Sequence, residues 1–169
     1  MGRCAMAFDD KPAKTVIKPL VNIEDWLLVA KDVGPIMRCP DMQRDAAFLR
    51  YAARKIAQGE ALMVQHLGTL CCAGAIGLSK HNNAITWLGV RNAYQRQGIA
   101  SLLIKAALVL LDRQRPITLN TYPKDYAPGH AARSLYEKHG FYEKTGEVFY
   151  VEGYAMVECV LPPKQGAPG

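Results

Sequence analysis

Residues 87–104 read Trp87-Leu-Gly-Val-Arg91-Asn-Ala-Tyr-Gln95-Arg-Gln-Gly98-Ile-Ala100-Ser-Leu-Leu-Ile104, and this stretch decides the fold. An apolar run, Ala84 to Val90, gives way to a short polar loop, and a long helix begins at Gly98 or Ile99. Ile99, Leu102, Leu103, Ala106, Leu110 and Leu111 are expected on its apolar face, and the Ala-Ala-Leu inside it has high helix propensity. The first N–H groups of a helix have no internal partner and sit at the positive end of its dipole. A loop that aims further N–H groups at the same point makes an anion site suited to a phosphate or diphosphate. Gly98 lets backbone approach such a ligand, Ala100 is small for the same reason, and Gln95, Arg96 and Gln97 supply donors.

Working outward, the chain before residue 60 reads as helical. Asn22 caps a first short helix containing Trp26. After Pro40, Asp41 caps a second, in which Met42, Ala46, Phe48, Leu49, Ala52 and Ile56 recur near helical spacing, and Gly59 ends it. From Glu60 the pattern changes to strands. Ala61 to His66 and Leu70 to Lys80 form a hairpin about Leu67-Gly68. Ala84 to Val90 is mostly apolar, so it is expected to be central and covered on both faces. Gly89 within it suggests a bulge or a close approach. Beyond the long helix come a strand at Ile117–Tyr122, a loop with Pro123, Pro128 and Gly129, a helix at Ala131–His139 stopped by Gly140, and strands at 142–151 and 154–161. Strands flanked by helices predict a single α/β domain (α+β type) with a mixed sheet and helices on both faces. Residues 1–12 are expected to fray, and the Pro/Gly-rich 162–169 to form a flexible tail.

The composition narrows the function classes. The chain has 169 residues, half of them apolar, enough for one domain with a real core. The longest apolar run, Ile99 to Leu111, is interrupted by Lys105 and falls short of the roughly 20 residues of a membrane span. No secretory signal is visible, so a cytoplasmic protein is expected, without a membrane partner. The five cysteines, Cys4, Cys39, Cys71, Cys72 and Cys159, include no Cys-x-x-Cys pair, so free thiols are expected and no metal site. A net charge of +6 suits an anionic cofactor, but there is no Lys/Arg block or basic–aromatic stripe, so nucleic acid is not an expected partner. The loop at 95–98 is neither a P-loop nor a G-x-G-x-x-G turn, and H-E-x-x-H and G-x-S-x-G are absent.

Two motifs carry a family resemblance. Gln95-x-x-Gly98-x-Ala100, after a strand ending in Leu-Gly-Val, resembles the acetyl-CoA signature of the GNAT N-acetyltransferase superfamily. Downstream, Ala132-Arg-Ser-Leu135-Tyr136-Glu-Lys-His-Gly140-Phe141 is similar to the family's second signature, one helix and one strand later. The resemblance covers about Ala61 to Leu161, the acyl-CoA-binding core, while residues 13–60 fall where the family varies most.

The resemblance implies a mostly antiparallel sheet, splayed where acetyl-CoA binds, in an N-acetyltransferase that acts on a primary amine. The CoA diphosphate would sit on the turn of Gln95, Arg96, Gln97, Gly98, Ile99, Ala100 and Ser101. The pantetheine arm would run beside Leu88, Gly89 and Val90, with Gly89 in a bulge that opens the splay and a backbone N–H near Val90 as an oxyanion donor. Tyr136 would protonate the leaving thiolate. Two positions depart from the family pattern: Gly129 stands where Asn is frequent, and Ala84 where some members keep a Glu base. The base stays open between an ordered water chain, a side chain of the 122–130 loop such as Asp125 or His130, and an amine that arrives neutral. Tyr122 and Tyr126 are candidates for an acceptor pocket or for turn packing. The acceptor is open: a small molecule, a peptide terminus or a lysine. A homodimer is also open, as is a non-catalytic acyl-CoA-binding sensor of the same fold.

Overall fold

The computed structural model describes residues 15–165, so the expected frayed start, Cys4 and the end of the tail lie outside the described residues. The elements run β1 (Thr15–Pro19), α1 (Ile23–Val33), α2 (Ala46–Ala57), β2 (Ala61–His66), β3 (Cys72–Ser79), β4 (Ala84–Val90), α3 (Ile99–Leu110), β5 (Ile117–Thr121), α4 (His130–Lys138), β6 (Tyr142–Val151) and β7 (Tyr154–Leu161). They build one seven-stranded sheet in the order β1-β2-β3-β4-β5-β7-β6. Every pairing is antiparallel except β4 with β5. That parallel pair is joined through α3, which lies across one face of the sheet.

The four expected helices all form, with the start of one displaced. Asn22 caps α1, its side chain accepting from the Glu24 N–H. For α2 the cap is Asp45, which accepts from the Phe48 N–H, and not Asp41, which begins a single 3₁₀ turn over Met42–Arg44. A cap must leave its helix free to present a buried face, and starting at Ala46 places Phe48 and Ala52 inward. The region before residue 60 is also not wholly helical. Thr15–Pro19 pairs with Leu62–His66 as an edge strand, its exposed residues giving no alternating signal.

Two cores sandwich the sheet. On one face Ile99, Leu103, Ile104 and Ala107 of α3 pack with Leu62, Val64, Ile76, Leu78 and Leu119. Leu102 and Ala106 flank that face and Leu110 is exposed, so the buried stripe is rotated from the sequence expectation. On the other face Trp26, Val29, Phe48 and Ala52 pack on Met63, Cys72 and Ala75. β3 is buried along its whole length, so it is the strand covered on both faces. Its small residues make that possible: a Cβ on Gly77 would meet the Tyr51 hydroxyl and the Trp26 indole. β4 sits in the middle of the sheet, yet most of its residues are half-buried and Thr86 is exposed, because one of its flanks opens onto a groove.

That groove arises where β4 and β5 part. They share one register position, Ala84↔Thr118. At this closed end Asn83, fully buried with φ 52°, donates to the carbonyls of Asp112 (2.9 Å) and Pro116 (3.0 Å) and accepts from the Asp112 N–H (2.8 Å). A short polar side chain is one of the few that tolerates this backbone conformation while satisfying its own buried amide. Past Ala84 the strands diverge, leaving an edge of β4 without a strand partner.

Candidate active site

Which backbone groups face the gap follows from the ladder. In an antiparallel pair, alternate residues turn their N–H and C=O toward the partner strand. The Arg91 N–H donates to the Ala73 carbonyl of the β3 side, which sets the phase: Gly89 also faces β3, and Leu88 and Val90 face the gap. The Val90 carbonyl lies 3.5 Å from the Gln95 side-chain amide. The bulge in β4 is not at Gly89. The register skips between Gly77 and Leu78, so Thr86 is the extra residue. Gly89 has a different reason to be small, because a Cβ there would lie 2.7 Å from the Trp87 ring.

Beyond Val90 the chain turns twice through left-handed backbone, at Arg96 (φ 62°) and Gly98 (φ 76°), before entering α3. Gly98 is the N-cap and offers no side-chain cap, so the first N–H groups of α3 stay open to a ligand. A Cβ at Gly98 would meet nothing within 4 Å, so the glycine answers to its backbone angle rather than to crowding.

A cavity of about 590 Å³ joins these features. Leu88, Gly89, Val90, Gln95, Arg96, Gly98, Ile99, Ala100 and Ser101 all line it, as does Tyr136 from α4. Gln97 does not, its exposed side chain lying off the wall. Two of the expected donors have protein partners: the Gln95 amide also lies 3.3 Å from Asn92 Oδ1, and the Ser101 hydroxyl is 2.8 Å from His139 Nε2. Burial, then Lys105 and Lys138, lower the His139 pKa. Lys138 also lines the cavity, a cation that sequence reasoning passed over although it lies inside the second motif.

A second cavity of about 500 Å³ lies on the β4–β5 side of the same opening. The two share Ile36, Met37, Leu88, Pro128, Ala132 and Tyr136, so Leu88 and Tyr136 stand where they meet. Tyr136 is placed by α4, which Arg133 anchors through its bonds to the Tyr122 carbonyl (3.1 Å) and the Glu143 carboxylate (2.8 Å). Burial, with the neighbouring Cys159 as a lesser cause, pushes the Tyr136 phenol up to about 12, so it keeps its proton at neutral pH.

The second cavity also holds residues for which the sequence gave no motif: Met42, Phe48, Tyr51, Thr86, Trp87, Asn120, Glu152 and Met156. Tyr51 and Thr86 share a 2.6 Å hydrogen bond between hydroxyls. Trp87 is half-buried, part of an aromatic cluster with Trp26 and Phe48 as well as a wall of the cavity. Tyr122 lines the cavity, whereas the Tyr126 hydroxyl donates to the Ile36 carbonyl and serves to pack the loop. Asp125 and His130 are exposed and line neither cavity, and His130 bonds the Lys124 carbonyl at 2.6 Å.

Among the described residues no group of three or more His, Cys, Asp and Glu could hold a metal, and no helix is long and apolar enough to cross a membrane. Cys39, Cys71, Cys72 and Cys159 are free thiols.

Residues 41–161 match the family model described as "Acetyltransferase (GNAT) domain". No curated protein matches the sequence. Solved structures share the fold at low identity. The crystal structure of the NatC complex bound to Gag peptide and CoA contains a chain with 23% identity and a TM-score of 0.62, covering 89% of this chain and 99% of that one. Arabidopsis thaliana Naa50, solved with the bisubstrate analogue CoA-Ac-MVNAL, gives 21% and 0.63 over 86% and 97%. A GNAT-family acetyltransferase from Bacillus cereus gives 14% and 0.63 over 89% and 99%.

Proposed function

We propose, from the premise that this chain belongs to the GNAT acetyltransferase family, that it moves the acetyl group of acetyl-CoA to a primary amine by direct attack on the thioester. The observation that carries this reading is one continuous cavity. It runs from the left-handed turn at Arg96–Gly98, along the unpartnered edge of β4, to Tyr136. The related chains solved with CoA or a CoA analogue support the choice of donor.

The diphosphate would take the open N–H groups at the start of α3, with Arg96 and Lys138 adding charge. The pantetheine amides would pair with Leu88 and Val90, as an added strand would. The thioester carbonyl then lies near the junction of the two cavities. The amine lone pair forms the new C–N bond, and a gap-facing N–H of β4 near Val90, that of Leu88 at the junction, steadies the oxyanion. As the C–S bond breaks, Tyr136 gives its proton to the thiolate. Burial keeps the Tyr136 phenol protonated at neutral pH, so its proton is available to the leaving thiolate. The amine attacks in its neutral form, giving a proton to water first where it arrives as an ammonium. After attack its surplus N–H proton passes through water to the tyrosinate and restores the Tyr136 acid, since β4 offers no carboxylate. The whole chain acts as one domain, with 61–161 as its acyl-CoA-binding core, and its free thiols suit a reducing cytosol.

The test is calorimetric titration with CoA, followed by thiol release from acetyl-CoA over a panel of amines. Absence of both heat and thiol would sink the reading. A non-catalytic acyl-CoA sensor is favoured by the missing carboxylate, and it predicts heat without thiol on every amine tried.

A further inference from the structure

The two cavities differ in charge. Arg96 and Lys138 line the one assigned to the cofactor. The other has a single charged residue in its wall, Glu152, although the chain carries 21 Lys and Arg. The rest of that wall is dominated by Met42, Phe48, Trp87, Leu119 and Met156, with Tyr51 turned to Thr86. The guanidinium of Arg38, nearby, is stacked over the rings of Tyr126 (4.0 Å), Tyr154 (4.8 Å) and Tyr122 (5.3 Å) and does not line the cavity.

We infer that the acceptor is a primary amine on an apolar body the size of an aromatic or thioether side chain, carrying no carboxylate or phosphate. This rests on the acetyltransferase reading of the site. A carboxylate in this cavity would be desolvated without a cation in the wall to pair with, a cost that burial of an unpaired charge always incurs. A polyamine or aminoglycoside would press several ammonium groups against methionine and aromatic surface, with one carboxylate to answer them. A monoamine matches the inventory. Glu152, exposed at the β6–β7 turn, draws in its single positive charge, and the apolar wall takes its body. Methionines adapt to irregular apolar shapes, and a volume near 500 Å³ falls in the roughly 300–1,000 Å³ range of small-molecule pockets. A free arylalkylamine and a peptide amino end with an apolar first side chain share this chemistry.

The experiment compares kcat/KM for thiol release with phenethylamine, phenylalanine amide, a Phe-Ala dipeptide amide, phenylalanine and spermidine, alongside calorimetric binding of acetyl-CoA. The first three should exceed phenylalanine and spermidine by at least about tenfold, the scale on which an apolar pocket discriminates. Phenethylamine against the dipeptide amide separates a free amine from a peptide end. Trp87 lines the cavity, so phenethylamine should also change the fluorescence of the chain's two tryptophans without turnover. Met156→Arg should lower the rate with phenethylamine and raise it with phenylalanine. Should that variant not fold, Glu152→Gln at the exposed turn should raise KM for phenethylamine while leaving acetyl-CoA binding intact. Preference for phenylalanine or spermidine overturns the inference. So does a failure of every amine while acetyl-CoA still binds. Loss of acetyl-CoA binding itself would instead bring down the underlying reading.

Discussion

Replacing Tyr136 by Phe removes one oxygen and little else. The ring keeps its edge-on contact with Phe141, 6.2 Å between centroids, and its place in the core. Packing and cofactor affinity should therefore be unchanged. What disappears is the proton that the proposed mechanism gives to the leaving thiolate. Positioned proton transfer contributes roughly 10²- to 10⁴-fold, which is about 3–5 kcal/mol of barrier. The assay is thiol release at saturating acetyl-CoA, with thermal unfolding and CoA titration as controls. Tyr136→Phe should lose kcat by that factor with an unaltered Kd for CoA. The pH profile adds a sign. Because burial raises this phenol to about 12, the wild type should keep its acid through pH 10, and its rate should fall only on approaching the higher value. Stability behaves in the same direction. The shift contributes fully below the ordinary tyrosine value of 10.0 and is lost as pH climbs from there toward 12, a loss Tyr136→Phe should not show. A variant that folds, binds CoA and retains kcat within about threefold would refute the acid role.

Three further outcomes follow from the geometry. Gly98→Ala places a side chain in open space but at φ 76°, so it should cost about 1 kcal/mol of backbone strain, and CoA affinity by calorimetry should fall several-fold as the turn relaxes. Gly77→Ala drives a methyl into the Tyr51 hydroxyl and the Trp26 indole, and denaturant unfolding should show a loss of roughly 1–3 kcal/mol. Burial and the nearby Lys105 and Lys138 lower the His139 pKa below its ordinary 6.5, so its neutral form is the one the fold prefers. Stability should then decline as pH drops through 6.5, and His139→Asn should flatten that limb in unfolding measured from pH 8 to 5.5.

How much of this was legible in the sequence varies with the range of the forces involved. The α3 turn was readable because its causes are local: a glycine at a left-handed angle, and an apolar helix directly behind it. The final strands and α4 were bounded by Gly140, whose φ of 92° marks the turn. What was missed depends on distant partners. β1 is a strand only because Leu62–His66 supplies its ladder. Asp45 replaces Asp41 as a cap because the face of α2 must meet Trp26. The openness of β4 could not be seen in its apolar letters, since it follows from where β5 diverges. The second cavity had no motif for the same reason, drawing Tyr51, Thr86, Asn120 and Glu152 from four separate elements or turns.

Asn83 gives the splayed sheet the character of a lever. β1–β4 and β5–β7 are joined edge to edge at one position, and this buried amide holds that end by its bonds to residues 112 and 116. The seven residues of β4 reach roughly 20 Å from there. A rotation of about 5° at the amide would therefore displace the strand's far end by roughly 2 Å, half a strand spacing or a little less. The closed end from which the gap widens is thus held by a residue that lines neither cavity.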